Sequence, residues 1–255
     1  MIPRLTRPLG RALLALSALA IVVPAPALAA GWSVEHVKGS GRVKTEARTI
    51  GHFNGVALSL PGSVELRIGN TESVTIETDD NLLPLIETVV ENGTLKIRTS
   101  KRNLDLETRR MKIVVQAKGV DNLALGGSGS IDAGPLRGSK VMIDIGGSGN
   151  ISVKGIDSDA LSVSLGGSGD LKVGGGAARK LSLSIGGSGD VDMGKLQTLD
   201  ASVNIAGSGN AKIAVRDQLN VTIAGSGDVN YYGDPKVSKT VVGSGTANKI
   251  GGSPR

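Results

Sequence analysis

From about Asp121 onward, apolar and small polar residues alternate in short runs that return at a fixed interval. Leu161, Val163 and Leu165 are apolar, with Ser162 and Ser164 between them. Leu181-Leu183-Ile185, Ala201-Val203-Ile205 and Leu219-Val221-Ile223 repeat the pattern. A period of two marks a strand with one dry face. Each run ends at Gly-Ser-Gly, and a second alternation follows, as in Leu171-Lys172-Val173 and Val191-Asp192-Met193. Each unit thus predicts strand, tight turn, strand, looser turn.

The serines of these turns are Ser128, Ser148, Ser168, Ser188, Ser208, Ser226 and Ser244, four steps of twenty residues and then two of eighteen. A fixed period of this length points to a stacked repeat. Equivalent positions also keep their character, as columns do when coils stack. Before the glycines the column is Leu125, Ile145, Leu165, Ile185, Ile205, Ile223, Val241. After them it is Ser130, Asn150, Asp170, Asp190, Asn210, Asp228, Thr246. A flexible linker would lack such spaced aliphatic strands. An up-and-down antiparallel sheet would not need the columns. The pattern therefore predicts an all-β chain, a parallel β-solenoid (β-helix) of about seven Gly-Ser-Gly-cornered coils. The corners are Gly127-Ser128-Gly129, Gly147-Ser148-Gly149, Gly167-Ser168-Gly169, Gly187-Ser188-Gly189, Gly207-Ser208-Gly209 and Gly225-Ser226-Gly227. Glycine on both sides is expected there for positive φ, and crowding between coils for the small serine in the middle.

Residues 31–120 are β-rich but not regular. Runs at 56–60, 64–68 and 74–78 alternate, and Pro84 marks a short helical or irregular turn at 82–86. Asn92-Gly93 between alternating runs predicts a tight hairpin. The expected organisation is one solenoid domain over 31–250, with 31–110 as irregular first coils, 121–250 as regular repeats and 251–255 as a short tail. Residues 1–30 read as a secretory signal: Arg4, Arg7 and Arg11, an apolar run from Ala12 to Val23, and Ala27-Leu28-Ala29 as a cleavage pattern. Export to the periplasm, the cell surface or the medium is expected. The mature chain shows no transmembrane segment, and no cysteine for a lipid anchor or disulfide.

Composition adds exclusions. The formal charge of +6 includes the three signal arginines and leaves +3, which gives no argument for nucleic acid. Lys101, Arg102, Arg109, Arg110 and Lys112 are interrupted by Asp105 and Glu107 and read as a solvated face.

Gly39-Ser40-Gly41, the run RTIGHFNGVALS (48–59), the run SVTIETDDNLLPLIETVVENGTLKI (73–97) and the serial GGSGD and GGSGN turns together resemble the GIN-type head domain of autotransporter adhesins. The resemblance spans nearly the whole mature chain. It implies a right-handed parallel β-helix with no established enzymatic activity, in an exported bacterial family of unknown function. Pro61-Gly62-Ser63 departs from the family's usual corner, so a distorted first corner is expected. No strands of a membrane barrel follow the solenoid, so "adhesin" is an analogy of fold.

The chemistry is sparse. His36 and His52 are the only histidines, and no nucleophile elbow or metal-ligand pair is visible. No catalytic residue, cofactor or metal site is assigned. Asp170, Asp190 and Asp228 share a column with Asn150 and Asn210. Turn capping is the main reading of that column, and a weak cation ladder is the lesser one. Tyr231-Tyr232 is a candidate contact site in a chain with 2% aromatics. Lys239 and Lys249 replace core-column residues in the last coil and predict an end cap. Two functions stay open. One is a non-catalytic adhesin-like or scaffold protein, monomeric or paired through its side faces, that binds a surface glycan or envelope protein. The other is a carbohydrate-active β-helix enzyme working through clustered carboxylates.

Overall fold

The computed structural model describes residues 34–252; the expected signal segment and most of the tail lie outside them. Residues from Val34 onward form one compact unit. It is a β-solenoid of about six full turns followed by a partial seventh coil. Its repeating coils carry three strand faces, and all stacking among them is parallel.

The first face runs Gly55–Leu58, Asn122–Leu125, then 141–145, 161–165, 181–185, 201–205, 219–223 and 237–241. The second face begins with Ser63–Ile68 and Ser130–Ala133 and continues through Asn150–Val153 and Leu171–Val173 to Val229–Tyr232 and Ala247–Gly251. The third face, 136–138, 156–158, 176–178 and 196–198, is full length only in the longer coils and is cut to 214–215 in the next one. Its shortening absorbs the change of period. Met193 pairs with Ile213 but Gln197 pairs with Ala214, and the Thr198 hydroxyl donates to the Ala214 carbonyl at 2.7 Å.

The register aligns the predicted columns. Leu123, Ile143, Val163, Leu183, Val203 and Val221 stack on one another, each no more than 2% exposed. Such dry columns supply the main stabilisation, about 1.5–3 kcal/mol per large aliphatic side chain.

The N-terminal part is built differently. Thr94–Thr99 and Lys112–Ala117 form a layer on the far side of 55–68, although they follow it in sequence. The chain lays down one coil, turns back to build the layer beneath it, then crosses to start the regular stack above. The return uses antiparallel strands: Ser73–Asp79 against Lys112–Ala117, and Ile86–Glu91 against Thr94–Thr99. Asn92 (φ 50°) and Gly93 (φ 76°) turn that second hairpin, as the Asn-Gly signal predicts. Leu83–Leu85 is a single 3-10 turn. Val43–Arg48 pairs antiparallel with Ser73–Asp79, and Glu35–Lys38 pairs with Leu104–Glu107.

Candidate functional site

The Gly-Ser-Gly corners hold glycine mainly for a reason other than backbone strain. Gly147, Gly167 and Gly187 show no left-handed φ, while Gly225 (φ 143°) and Gly243 (φ 127°) do. At Gly187 a Cβ would sit 2.0 Å from the Gly167 carbonyl oxygen, and at Gly189 1.9 Å from that of Gly169. The backbones of successive corners touch, and no side chain fits between them. The expectation of positive φ is thus corrected to steric exclusion at most corners. At the Pro61-Gly62-Ser63 corner only one glycine is relaxed: a Cβ on Gly127 would keep 3.5 Å from Leu60, but one on Gly129 would lie 2.4 Å from the Gly62 carbonyl oxygen.

Next to each corner the Asx column forms a ladder. Asn150 Oδ1 accepts from the Asp170 amide at 3.1 Å, and Asp170 Oδ1 from the Asp190 amide at 2.9 Å. Asp190 Oδ1 accepts both the amide and the side-chain Nδ2 of Asn210, and Asn210 Oδ1 accepts the Asp228 amide. Asp228 Oδ1 accepts the amide and hydroxyl of Thr246. Each carboxylate or amide oxygen thereby satisfies a backbone N–H one coil along.

The two histidines lie apart. His36 Nδ1 is 2.9 Å from Asp105 Oδ2, and His52 Nδ1 is 2.6 Å from Glu72 Oε1; both rings are exposed. Tyr231 turns inward against the core, while Tyr232 lies outside with the Lys212 ammonium 5.7 Å from its ring centre. Lys239 pairs in register with buried Val221, and Lys249 with Tyr231. Both lysines are exposed because no further coil covers them, and Lys249 is ion-paired with Asp234.

The basic residues near 101–112 disperse. Lys112 and Arg67 hold Glu65, whose carboxyl falls to about 2, first through the Arg67 hydrogen bond. Arg98 bridges Glu87 and Glu91, and Lys96 reinforces Glu91, holding its carboxyl below the usual range. Arg102 lines a cleft of about 530 Å³ with Glu87, Arg98 and Asp105 beside the Pro61 corner. Arg109 and Arg110 line a second of about 670 Å³. No group of three or more His, Asp or Glu side chains among the described residues could hold a metal ion.

The second cleft contains a clasp that sequence reading missed. Asp79 is 5% exposed. Its Oδ1 accepts the Gly41 amide at 2.7 Å and its Oδ2 the Thr108 hydroxyl at 2.6 Å. Asp80 accepts the Ser40 hydroxyl, which lowers its carboxyl pKa, and pairs with Arg42. Asn81 Oδ1 accepts the Ser40 amide and its Nδ2 donates to the Lys38 carbonyl. Gly39-Ser40-Gly41 is therefore no solenoid corner; a Cβ on Gly39 would lie 2.1 Å from Asp79 Oδ2. The signal available in the sequence was an out-of-period Gly-Ser-Gly together with three consecutive Asx residues.

The faces differ in charge. On the second face the outward column reads Asp132, Ser152, Lys172, Asp192, Lys212, Asn230. On the first face the outward residues from 162 to 240 are serine, asparagine and threonine. No helix among the described residues is long and apolar enough to cross a membrane.

Comparison with known proteins agrees with this architecture. No curated protein matches the chain. A solved structure from Bacteroides fragilis NCTC 9343, described as "a putative adhesin", superposes with TM-score 0.77 at 22% identity, over 84% of this chain and 100% of that one. One from Parabacteroides merdae ATCC 43184 with the same description gives 0.67 at 24% identity, over 84% and 99%. One from Parabacteroides distasonis ATCC 8503, described as a "putative lipid binding protein", gives 0.66 at 27%, over 85% and 100%. Residues 52–235 match the family model described as "Putative auto-transporter adhesin, head GIN domain", and the chain belongs to that family.

Proposed function

We propose that this is an exported, non-catalytic adhesin-like or scaffold protein whose solenoid faces bind a cell-surface or envelope partner. The observation that carries the reading is the use made of its carboxylates. The acidic column that could have formed a polysaccharide-cleaving site is engaged in hydrogen-bonding the next coil's backbone. Glu65, Glu87 and Glu91 are tied to cations. Retaining and inverting glycosidases need a facing pair of carboxyls, one able to give up a proton. Family membership supports the same reading. Export rests on the basic and apolar pattern of residues 1–30 and places the protein in the periplasm, at the surface or in the medium.

Binding of the purified protein to a glycan array and to isolated envelope fractions tests the proposal; retention on either is expected. Release of reducing ends or unsaturated sugars from a polysaccharide panel, lost in Asp190→Ala, would return the enzyme reading.

The lysine end cap belongs to the same proposal. The last coil leaves Val237 and Val241 more than a third exposed on an open strand edge. Inward-pointing lysines on such an edge disfavour edge-to-edge pairing. Light scattering of Lys239→Val/Lys249→Val is expected to show end-to-end polymers; an unchanged mass removes the cap from the account.

A further inference from the structure

The first face of the stack differs from the others in a way that suits one kind of partner. Three outward columns cross it in the coils from 142 to 242. The first is Met142, Ser162, Ser182, Ser202, Asn220, Ser238. The second is Asp144, Ser164, Ser184, Asn204, Thr222, Thr240. The third, next to the corners, is Gly146, Gly166, Gly186, Ala206, Ala224, Val242. Asp144 is the single charge in these columns.

Two of the three columns change size along the rod. The third grows from glycine through alanine to valine, and Val242 is 70% exposed. In the second, Ser164 and Ser184 give way to Asn204, Thr222 and Thr240, while the first has no such gradient, running from Met142 through serines and Asn220 back to Ser238. A second copy turned end for end, about an axis parallel to the strands between the 184 and 204 coils, would set small against large. Gly146 would oppose Val242, Gly166 would oppose Ala224 and Gly186 would oppose Ala206. Ser164 would oppose Thr222, Ser184 would oppose Asn204 and Ser162 would oppose Asn220. Alternating large and small residues across facing positions is how packed layers interdigitate. The rim column also fits at its centre: Lys180 of one copy would meet Asp200 of the other, twice by symmetry. Lys140 and Lys236 would meet at the rim's two ends, where water and salt screen them.

We propose that this face is the contact surface for a second copy of the same chain, packed face to face and antiparallel along the solenoid axis. Six coils at about 4.8 Å and six residues at about 3.3 Å give a face of roughly 500–600 Å². Two such faces bury about 1,000–1,200 Å², the lower bound of a specific interface. The near absence of charge removes the desolvation cost that the second face, with Asp132, Lys172, Asp192 and Lys212, would carry. The proposal goes beyond the adhesin-like reading and can fail without it.

The test is the solution mass of the whole protein by sedimentation velocity, combined with thiol cross-linking, which the chain's lack of cysteine makes clean. A dimer that persists at high salt is expected. Ser184→Lys/Asn204→Lys should dissociate it while leaving the circular dichroism unchanged and removing any dependence of the melting temperature on protein concentration. A mixture of Ser164→Cys and Thr222→Cys proteins should join through a short bis-thiol cross-linker several-fold faster than Ser164→Cys with itself. A monomeric mass at all concentrations overturns the proposal. So does a dimer indifferent to the lysine variant, or equal cross-linking in both mixtures. A monomer that binds a neutral polysaccharide, and loses it in the lysine variant, also overturns it and gives the face to a glycan.

Discussion

The regular stack and the N-terminal part share parallel ladders and one core, yet they are held by different physics. In residues 121–251 each coil repeats its neighbour, so backbone meets backbone at the corners and aliphatic meets aliphatic inside. In 34–117 no layer copies the next, and antiparallel returns join them. Ten of the twelve ion pairs among the described residues lie at or before Lys112. A region that cannot use repetition fixes its loops with specific polar contacts, Asp79 above all. The comparison teaches that stacking register needs small residues and little charge, whereas a folded-back cap needs named partners.

The largest expected effect falls on the stack. Gly187→Val drives a side chain into the Gly167 carbonyl and should cost about 3–5 kcal/mol, read by denaturant melts. Gly166→Ala, whose Cβ would lie 4.0 Å from its nearest neighbour, should stay within about 0.5 kcal/mol. Equal effects at the two sites would contradict the steric account of the corners.

In the N-terminal part, Asp79→Ala removes a buried acceptor from the Gly41 amide and the Thr108 hydroxyl. A cost of about 2–3 kcal/mol is expected, confined to the segment 34–48. Hydrogen exchange should rise there and not in 141–225; a uniform rise would mean the clasp is no local device.

A smaller loss, about 0.5–1.5 kcal/mol, is expected for Asp190→Ala, because the Asn210 amide can turn to water at the exposed corner. Asp190→Asn, which keeps the acceptor oxygen, should recover most of it.

The smallest effect is acid sensitivity. Glu65, Asp80 and Glu91 have carboxyl pKa values lowered by their partners. Their ionised forms therefore contribute stability that is complete above the ordinary carboxylate range and disappears as pH falls, for Glu65 from 4.5 toward about 2. Limited proteolysis between pH 5 and 2 should nick the N-terminal part before the stack. The reverse order would show that these pairs hold nothing.

Much of the stack was legible because its information is local and repeated. The alternation around Val163 and Val203 names the inward side, and the spacing of Ser148, Ser168 and Ser188 sets the register. The same reasoning mistook why Gly187 is glycine, since a carbonyl 20 residues away occupies the space and sequence shows no distances. It also gave His52 no partner, though the Glu72 carboxylate, 20 residues away in sequence, lies 2.6 Å from its ring. The Asn92-Gly93 hairpin was legible for the opposite reason: its geometry needs only two adjacent residues with positive φ.

By itself, the sequence determined the strand periodicity, the parallel columns, the number of Gly-Ser-Gly corners and the lysines in the last coil. Each of these follows from side-chain identity at a fixed interval. Only the tertiary structure decided the order of the first layers, with 94–117 lying beneath 55–68, and the burial of Asp79 under Gly39-Ser40-Gly41. Both are choices among strand edges that local pattern leaves equivalent. A free edge accepts any strand of suitable register, and the winner is set by which packing buries the most apolar surface while leaving no amide or carboxylate unpaired.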